Sequence, residues 1–214
     1  MLENRQISGM LRQIARQDVI ELGPEMSRAR IAALAHVAEH YGFEYADAHR
    51  TGQNKNLIEV QMYRDPRPEA RAREAATIAA YTQAGNGGAV PGMRQGTLKP
   101  LPEAQEAVTQ LGDRIAFDLM GNAASKRQML LPWICVAALV ITLLVCGMYI
   151  GAVAGGAALA AFLIGGVKIG EIRRQRIAQR LTDAGFVAVQ DEHGRQRLLR
   201  SGQQLPGHAN PFAG

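Results

Sequence analysis

The longest run of positions without a charged residue lies between Arg127 and Lys168. It covers about 40 residues, and one straight helix of that length would measure about 60 Å, whereas the hydrocarbon core of a bilayer is about 30 Å thick. Two crossings therefore fit this run better than one. The pattern predicts a membrane α-helical hairpin, with two transmembrane helices, over residues 128–167.

The composition of the run indicates where the chain turns back. Leu130 to Val145 is rich in Leu, Ile and Val, and Gly147 and Tyr149 follow it. The second predicted span, 152–167, consists mostly of Ala, Gly, Leu and Ile and is close to the lower length limit of about 17 residues. Trp133 and Tyr149 are expected to anchor the first span, because amphipathic rings prefer the headgroup level.

Residues 1–83 have the alternating patterns of a small cytoplasmic α+β domain. Apolar residues three and four positions apart predict helices, and apolar residues at every second position predict strands. A turn between the two strands is expected at Gly52. The predicted elements are helices at Asn4–Gln17, Pro24–Tyr41 and Glu69–Thr82 and strands at Phe43–His49 and Leu57–Tyr63.

Two segments separate this domain from the predicted hairpin. Glycine and proline recur through residues 84–102, a composition that favours turns and predicts a linker. Residues 103–127 are predicted to form an amphipathic juxtamembrane helix at the bilayer surface. Its apolar positions are Val108, Leu111, Ile115 and Leu119.

Behind the apolar run, the pattern predicts a short helix and a β-hairpin that together make a C-terminal arm over residues 168–201. The helix is basic, and the turn of the hairpin is expected at His193-Gly194. Residues 202–214 contain repeated Pro and Gly and are predicted to be a disordered tail.

Charge gives the predicted hairpin an orientation. Basic residues flank both ends of the apolar run, and the turn between the spans has none. The positive-inside rule then predicts a multi-pass protein of the inner (plasma) membrane with both termini in the cytoplasm. The first twenty residues lack the apolar core of a signal peptide, which agrees with a cytoplasmic N-terminus.

The positive charge is concentrated after the membrane run. Residues 168–214 hold eight of the 24 Lys and Arg residues but only four of the 19 Asp and Glu residues. The lipid bilayer is therefore one expected partner, with its anionic headgroups held by Lys168, Arg173, Arg174, Arg176 and Arg180. Nucleic acid is not expected, because no aromatic residue is interleaved with these arginines.

Glycine spacing adds an expectation about packing. The predicted helix-packing residues are four positions apart in two groups, which are Gly147, Gly151 and Gly155, and then Gly166 and Gly170. Small residues at this interval let helices approach closely in lipid. Self-association as a homo-oligomer and packing of one span on the other are equally good interpretations. A pore is less favoured, because neither span contains an ionisable residue.

One short motif suggests chemistry. His36, Glu39 and His40 match the H-x-x-E-H pattern of the inverzincin metallopeptidases. On a helix, the two histidines share a face and could both reach a zinc ion, with Glu39 as general base. A third protein ligand is required, and no downstream pattern supplies one. Solvated histidines are the simpler interpretation, so neither a metal nor another cofactor is expected.

Other catalytic patterns are missing from the sequence. It contains no phosphate-binding G-x-x-x-x-G-K-S/T loop and no G-x-S-x-G motif. Both cysteines, Cys135 and Cys146, belong to the apolar run and are expected to behave as small apolar residues. These features disfavour an enzyme.

The leading hypothesis is therefore a non-enzymatic interaction or assembly subunit of the inner membrane. Its cytoplasmic parts would recruit partner proteins of a membrane complex, for example a secretion or other envelope complex. One alternative is a small oligomerising effector that perturbs membranes or forms a channel-like assembly. The second alternative is a zinc-dependent hydrolase that uses the motif at residues 36–40.

Overall fold

The computed structural model describes residues 2–123, 126–147, 149–191, 194–200 and 202–203. These residues form a mixed α/β structure with six α-helices and two small antiparallel sheets. The helices are α1 (Leu2–Ile14), α2 (Arg28–His40), α3 (Pro68–Ala80), α4 (Pro102–Ala123), α5 (Lys126–Val145) and α6 (Tyr149–Asp183). The strands are β1 (Val19–Glu25), β2 (Phe43–Thr51), β3 (Leu57–Arg64), β4 (Phe186–Gln190) and β5 (Gln196–Arg200).

The larger sheet has the strand order β1-β3-β2, and β3 runs antiparallel to both neighbours. Side chains alternate along β3, so that Ile58, Val60 and Met62 are buried. Helix α2 packs on all three strands, and its residues from Ile31 to Ala38 are all buried. Four alanines in this part of α2 allow the helix to approach the sheet closely. The predicted β2–β3 hairpin is confirmed.

Strand β1 was not predicted. The sequence pattern placed the start of a helix at Pro24, but Pro24 lies in β1, and α2 begins at Arg28. The Ser27 hydroxyl caps α2 by accepting a hydrogen bond from the Arg30 backbone N–H at 3.4 Å. Ile20 and Leu22 alternate into the core, and this pairing with β3 prevails over the helical pattern.

Helix α4 confirms the helix predicted after residue 102, but its apolar face does not lie on a bilayer. Leu111, Ile115 and Leu119 are buried in the same core as α2 and β2. The amphipathic pattern of α4 therefore reflects packing inside the folded unit. Segment 84–102 also contributes to that core, through Val90, Met93 and Leu98.

The prediction of a two-span transmembrane hairpin is wrong. Among the described residues, only α6 is long and apolar enough to cross a membrane, with its qualifying part beginning at Val153. The described apolar part of α5, Trp133–Val145, is shorter. At 1.5 Å per residue it measures about 20 Å, less than the roughly 30 Å of a bilayer core. The fold is mixed α/β with one membrane-span candidate.

Helices α5 and α6 nevertheless pack against each other after a turn at Cys146-Gly147. Gly147 has a φ of +76°, a conformation that side chains with a Cβ rarely adopt. The closest approach is at Gly156, where a Cβ atom would lie 2.7 Å from Cγ2 of Val140. Helix α6 continues without a break from its apolar half into the predicted basic helix.

The predicted C-terminal hairpin is confirmed as β4 and β5. It packs on the end of α6 and on α4 through a second apolar cluster that includes Phe117, Leu181, Phe186 and Leu198. The chain on either side of the α5–α6 pair therefore folds into one unit. Residues 204–214, most of the predicted tail, lie outside the described residues.

Candidate functional site

The C-terminal hairpin is tied to the N-terminal part by a largely buried group of charged and polar residues, here named the ionic seam: Tyr45, Asp47, Asp118 and Arg197. Arg197 Nη2 lies 2.6 Å from Asp47 Oδ1 and 3.6 Å from Asp118 Oδ2. The same atom donates a hydrogen bond to the Ala46 carbonyl oxygen at 2.8 Å. The Tyr45 hydroxyl donates to Asp118 Oδ2 at 2.6 Å. Burial raises the pKa of Asp118, against the opposing effects of Tyr45 and Arg197.

Arg114 lies next to the seam and is only 2% exposed. Its Nη2 donates to Gln203 Oε1 at 2.9 Å, and Gln203 Nε2 donates to the Tyr45 carbonyl oxygen at 2.8 Å. The guanidinium carbon lies 4.6 Å from the centroid of the Tyr45 ring and 5.2 Å from that of Phe186. Two aromatic faces thus stabilise a buried cation and join the two parts of the chain.

Beside the seam, a cleft of about 280 Å³ opens between the end of α2, the start of β2, the loop before α3, α3 itself and β5. We name it the arginine cleft. It is lined by Glu39, His40, Phe43, Glu44, Asp65, Arg67, Arg73 and Arg200. Seven of these eight side chains are polar or charged, so the cleft suits a charged group better than an apolar one.

The carboxylates of the arginine cleft are already hydrogen-bonded. Arg67 donates to both oxygens of Asp65, with Nη2 at 2.6 Å from Oδ2, and also reaches Glu44. Burial acts to raise the pKa of Asp65, but the Arg67 hydrogen bonds outweigh it and lower that pKa. Burial raises the pKa of Glu44. Arg200 forms a two-pronged contact with Glu39, at 3.2 and 3.5 Å.

His36 and His40 pack edge to face on α2, with ring centroids 4.9 Å apart. His36 is buried, and neither of its ring nitrogens has a hydrogen-bond partner among the described residues. Burial lowers the pKa of both histidines. The nearby Glu39 carboxylate opposes this change, whereas Arg200 lowers the pKa of His36 further and Arg73 that of His40. The pair is therefore held neutral near pH 7.

The structure brings the two predicted metal-binding histidines together, and the residues that it describes place no third ligand beside them. No group of three or more His, Cys, Asp or Glu side chains able to hold a metal is found among the described residues. Glu39, the expected general base, is engaged by Arg200. The motif therefore forms part of the wall of the arginine cleft and the core behind it.

The predicted lipid-binding basic residues are in different surroundings. Arg174 stacks over the Phe117 ring at 4.5 Å, Arg180 lies 3.7 Å from Asp113, and Lys168 lies 3.6 Å from Glu171. Arg173 and Arg176 are exposed and have no side-chain partner within the described parts of the chain. Of the five predicted lipid-contact residues, these two are therefore the ones available to anionic headgroups.

The other predicted residues lie on the α5–α6 pair. Trp133 and Tyr149 are exposed. A Cβ atom added at Gly147, Gly155, Gly166 or Gly170 would meet nothing within 4 Å, and the side-chain surroundings of residue 151 are outside the description. The close intrachain contact is made by Gly156. Packing of the predicted glycines against a second copy stays a prediction.

Sequence reasoning missed the seam and the arginines of the cleft. One signal was available: Arg114 and Asp118 are one turn apart on α4 and interrupt its otherwise apolar stripe. Their partners Arg197 and Gln203 belong to the distant C-terminal hairpin and the residues after it. No local pattern links positions so far apart in the chain.

Comparison of the chain with protein-family models, with curated proteins and with solved structures finds no match. The site geometry therefore carries the functional argument.

We predict that Arg197→Ala destabilises the protein by about 3–5 kcal/mol, because it leaves Asp118 buried without its cation. Chemical unfolding of the detergent-solubilised chain measures this. Arg71→Ala, an arginine removed from the exposed surface of α3, should cost less than about 1 kcal/mol. Equal losses for the two variants would contradict a central role for the seam.

We predict that the histidine pair makes the protein acid-sensitive. Because the folded-state pKa values lie below the ordinary 6.5, the unfolded chain binds protons that the folded chain does not as pH falls below 6.5. The thermal unfolding midpoint should therefore decrease as the pH is lowered from 7.5 to 5.5. The decrease should be smaller in a His36→Leu/His40→Gln variant.

The His49→Gln variant, at a half-exposed position, serves as the control for the loss of a surface histidine. Glu44 and Asp118, whose pKa values are raised by burial, titrate in every variant, so the difference between slopes isolates the two histidines. The same slope with and without the pair would refute the prediction.

Proposed function

We propose that this chain is a non-enzymatic interaction subunit anchored in the inner membrane by the apolar surface of α6, with its folded unit on the cytoplasmic side. The observation that supports the anchor best is the surface of α6. The apolar window of this helix has no buried residue, although it is apolar enough to cross a bilayer. Apolar surface of this extent favours a lipid environment.

The length of the uncharged half of α6 agrees with this role. From Tyr149 to Val167 the helix would measure about 28 Å, close to the roughly 30 Å thickness of a bilayer core. Exposed residues in this half include Val153, Phe162 and Ile164. Lys168 then introduces charge, and the helix reaches the apolar cluster around Leu181 about three turns further on.

The ionic seam supports placing the described residues before α5 and after α6 on one side of the membrane. Residues before α5 and after α6 share one folded unit, joined by Arg197 and Arg114. A membrane between the two parts would break these contacts and leave several buried charges without partners. The basic residues next to the apolar run favour the cytoplasmic side.

Lipid headgroups are the first partner of the proposed subunit. Arg173 and Arg176 follow the last uncharged residue by six and nine positions, which corresponds to about 9 and 14 Å along the helix. That places them near the headgroup region if the apolar half of α6 is in the hydrocarbon. Each free guanidinium close to an anionic surface contributes about 1 kcal/mol.

The proposal predicts that a Leu159→Arg/Phe162→Arg variant leaves the membrane. Phe162 is 77% exposed, so the change should not disturb the folded unit. Each arginine near the centre of the bilayer costs about 2.5–3.5 kcal/mol, so the variant should shift from the carbonate-washed membrane pellet to the soluble fraction.

The matched control is Ile169→Arg/Ile172→Arg, which adds the same two charges to exposed positions of α6 beyond Lys168. This control should stay in the membrane pellet. If the unmodified protein is itself recovered without detergent in the soluble fraction, the proposed anchor is wrong.

A second prediction concerns the headgroups. We reconstitute an Arg173→Gln/Arg176→Gln variant in vesicles that contain the anionic lipid phosphatidylglycerol. The enrichment of this lipid around the protein should be several-fold lower than for the unmodified chain, because two free cations are lost. Spin-labelled lipid measures this. Arg71→Gln/Arg28→Gln, on exposed positions of the folded unit, is the charge-matched control; equal loss in both would show that only net charge matters.

A further inference from the structure

In the arginine cleft, the hydrogen-bond donors are more exposed to solvent than the acceptors. Its carboxylates lie deep, with side chains of Glu39, Glu44 and Asp65 nearly buried, while the side chains of Arg67 and Arg200 are 46% and 42% exposed. The acceptors are thus shielded and occupied. What the cleft presents to solvent is mainly N–H donors.

Several of these donors are unused. In Arg73, only Nε donates a hydrogen bond, to the Glu39 carbonyl oxygen at 3.1 Å. No carboxylate among the described residues forms an ion pair with Arg73. Nη1 of Arg67 likewise has no acceptor in the described part of the chain. Each guanidinium offers a planar pair of donors, which fits the oxygens of a phosphate or carboxylate group.

Two of the arginines are held in place before any ligand arrives. Asp65 fixes Arg67 by three contacts, and its lowered pKa keeps it ionised at neutral pH. Glu39 fixes Arg200 by a two-pronged contact. Preorganised donors of this kind reduce the entropy lost on binding.

We propose that the arginine cleft binds a small phosphate-class anion, with Arg73 as the principal contact and Arg67 and Arg200 as flanking donors. A cavity of about 280 Å³ is at the lower end of ligand sites, so the group is a free phosphate or a small phosphomonoester rather than a nucleotide. Phe43 forms the one apolar wall of the cleft.

The bound anion would bridge the two parts of the molecule. Arg67 and Arg73 belong to the N-terminal part, whereas Arg200 lies on β5, which β4 connects to the membrane-span candidate α6. Occupancy of the cleft therefore tightens the junction between the N-terminal part and β5. This inference is independent of the membrane anchor and would survive its failure.

The test titrates inorganic phosphate, and separately glycerol phosphate, into the full chain in a phosphate-free non-ionic detergent by isothermal calorimetry at constant chloride and ionic strength. We expect saturable binding that is about tenfold weaker in Arg73→Gln, the loss of about 1.4 kcal/mol typical of a charge-assisted hydrogen bond. Tighter binding of the ester than of free phosphate would identify a phosphomonoester as the ligand, and the reverse order the free anion.

Arg71→Gln removes the same charge from the same helix but from a side chain outside the cleft, and should bind within about twofold of the unmodified chain. Arg73→Lys keeps the charge without the planar fork and should bind with intermediate strength. Absence of saturable binding of either anion, or equal weakening by Arg71→Gln and Arg73→Gln, would overturn the proposal. Circular dichroism confirms that each variant is folded.

Discussion

The buried contacts of Arg197 with Asp47 and Asp118 determine how the rest of the molecule is arranged, because they hold the last described hairpin against the first described domain. Burying these charges has a large desolvation cost, which is recovered only while all partners stay in place. Tyr45 completes the group by donating to Asp118, and Arg114 adds a second connection through Gln203. Apolar packing around Phe186 and Leu181 excludes water from both.

This closure explains the position of the apolar helices. The described residues before α5 and after α6 form one unit, and the apolar window of α6 has no buried residue. Only α6 has the length and composition of a membrane span. The proposed membrane anchor rests on the exposed apolar surface of α6.

The arginine cleft lies where these two parts meet. Its carboxylates accept hydrogen bonds from the arginines, and the two histidine rings behind it pack against each other. The H-x-x-E-H spacing puts His36 and His40 on one face, as a zinc site would require, yet Glu39 is committed to Arg200. The proposed anion binding relies on the exposed arginine donors of this cleft.

The sequence by itself determined the local elements. Helical and alternating periodicities identified α1, α4, the β2–β3 hairpin and the β4–β5 hairpin, because such patterns repeat within a few residues. The uncharged run identified an apolar segment in the same way. Composition alone did not decide how many spans the run contains, since the described apolar part of α5 is too short.

Only the tertiary structure decided which faces meet. The stripe of α4 suits a bilayer surface and a protein core equally well, and the fold assigns it to the core. Strand β1 exists because Ile20 and Leu22 pair beside β3, which outweighs the helical pattern at Pro24. The seam joins Arg197 to Ala46 across 151 positions, and Gln203 to Tyr45 across 158. Such contacts depend on three-dimensional proximity, which no short stretch of sequence encodes.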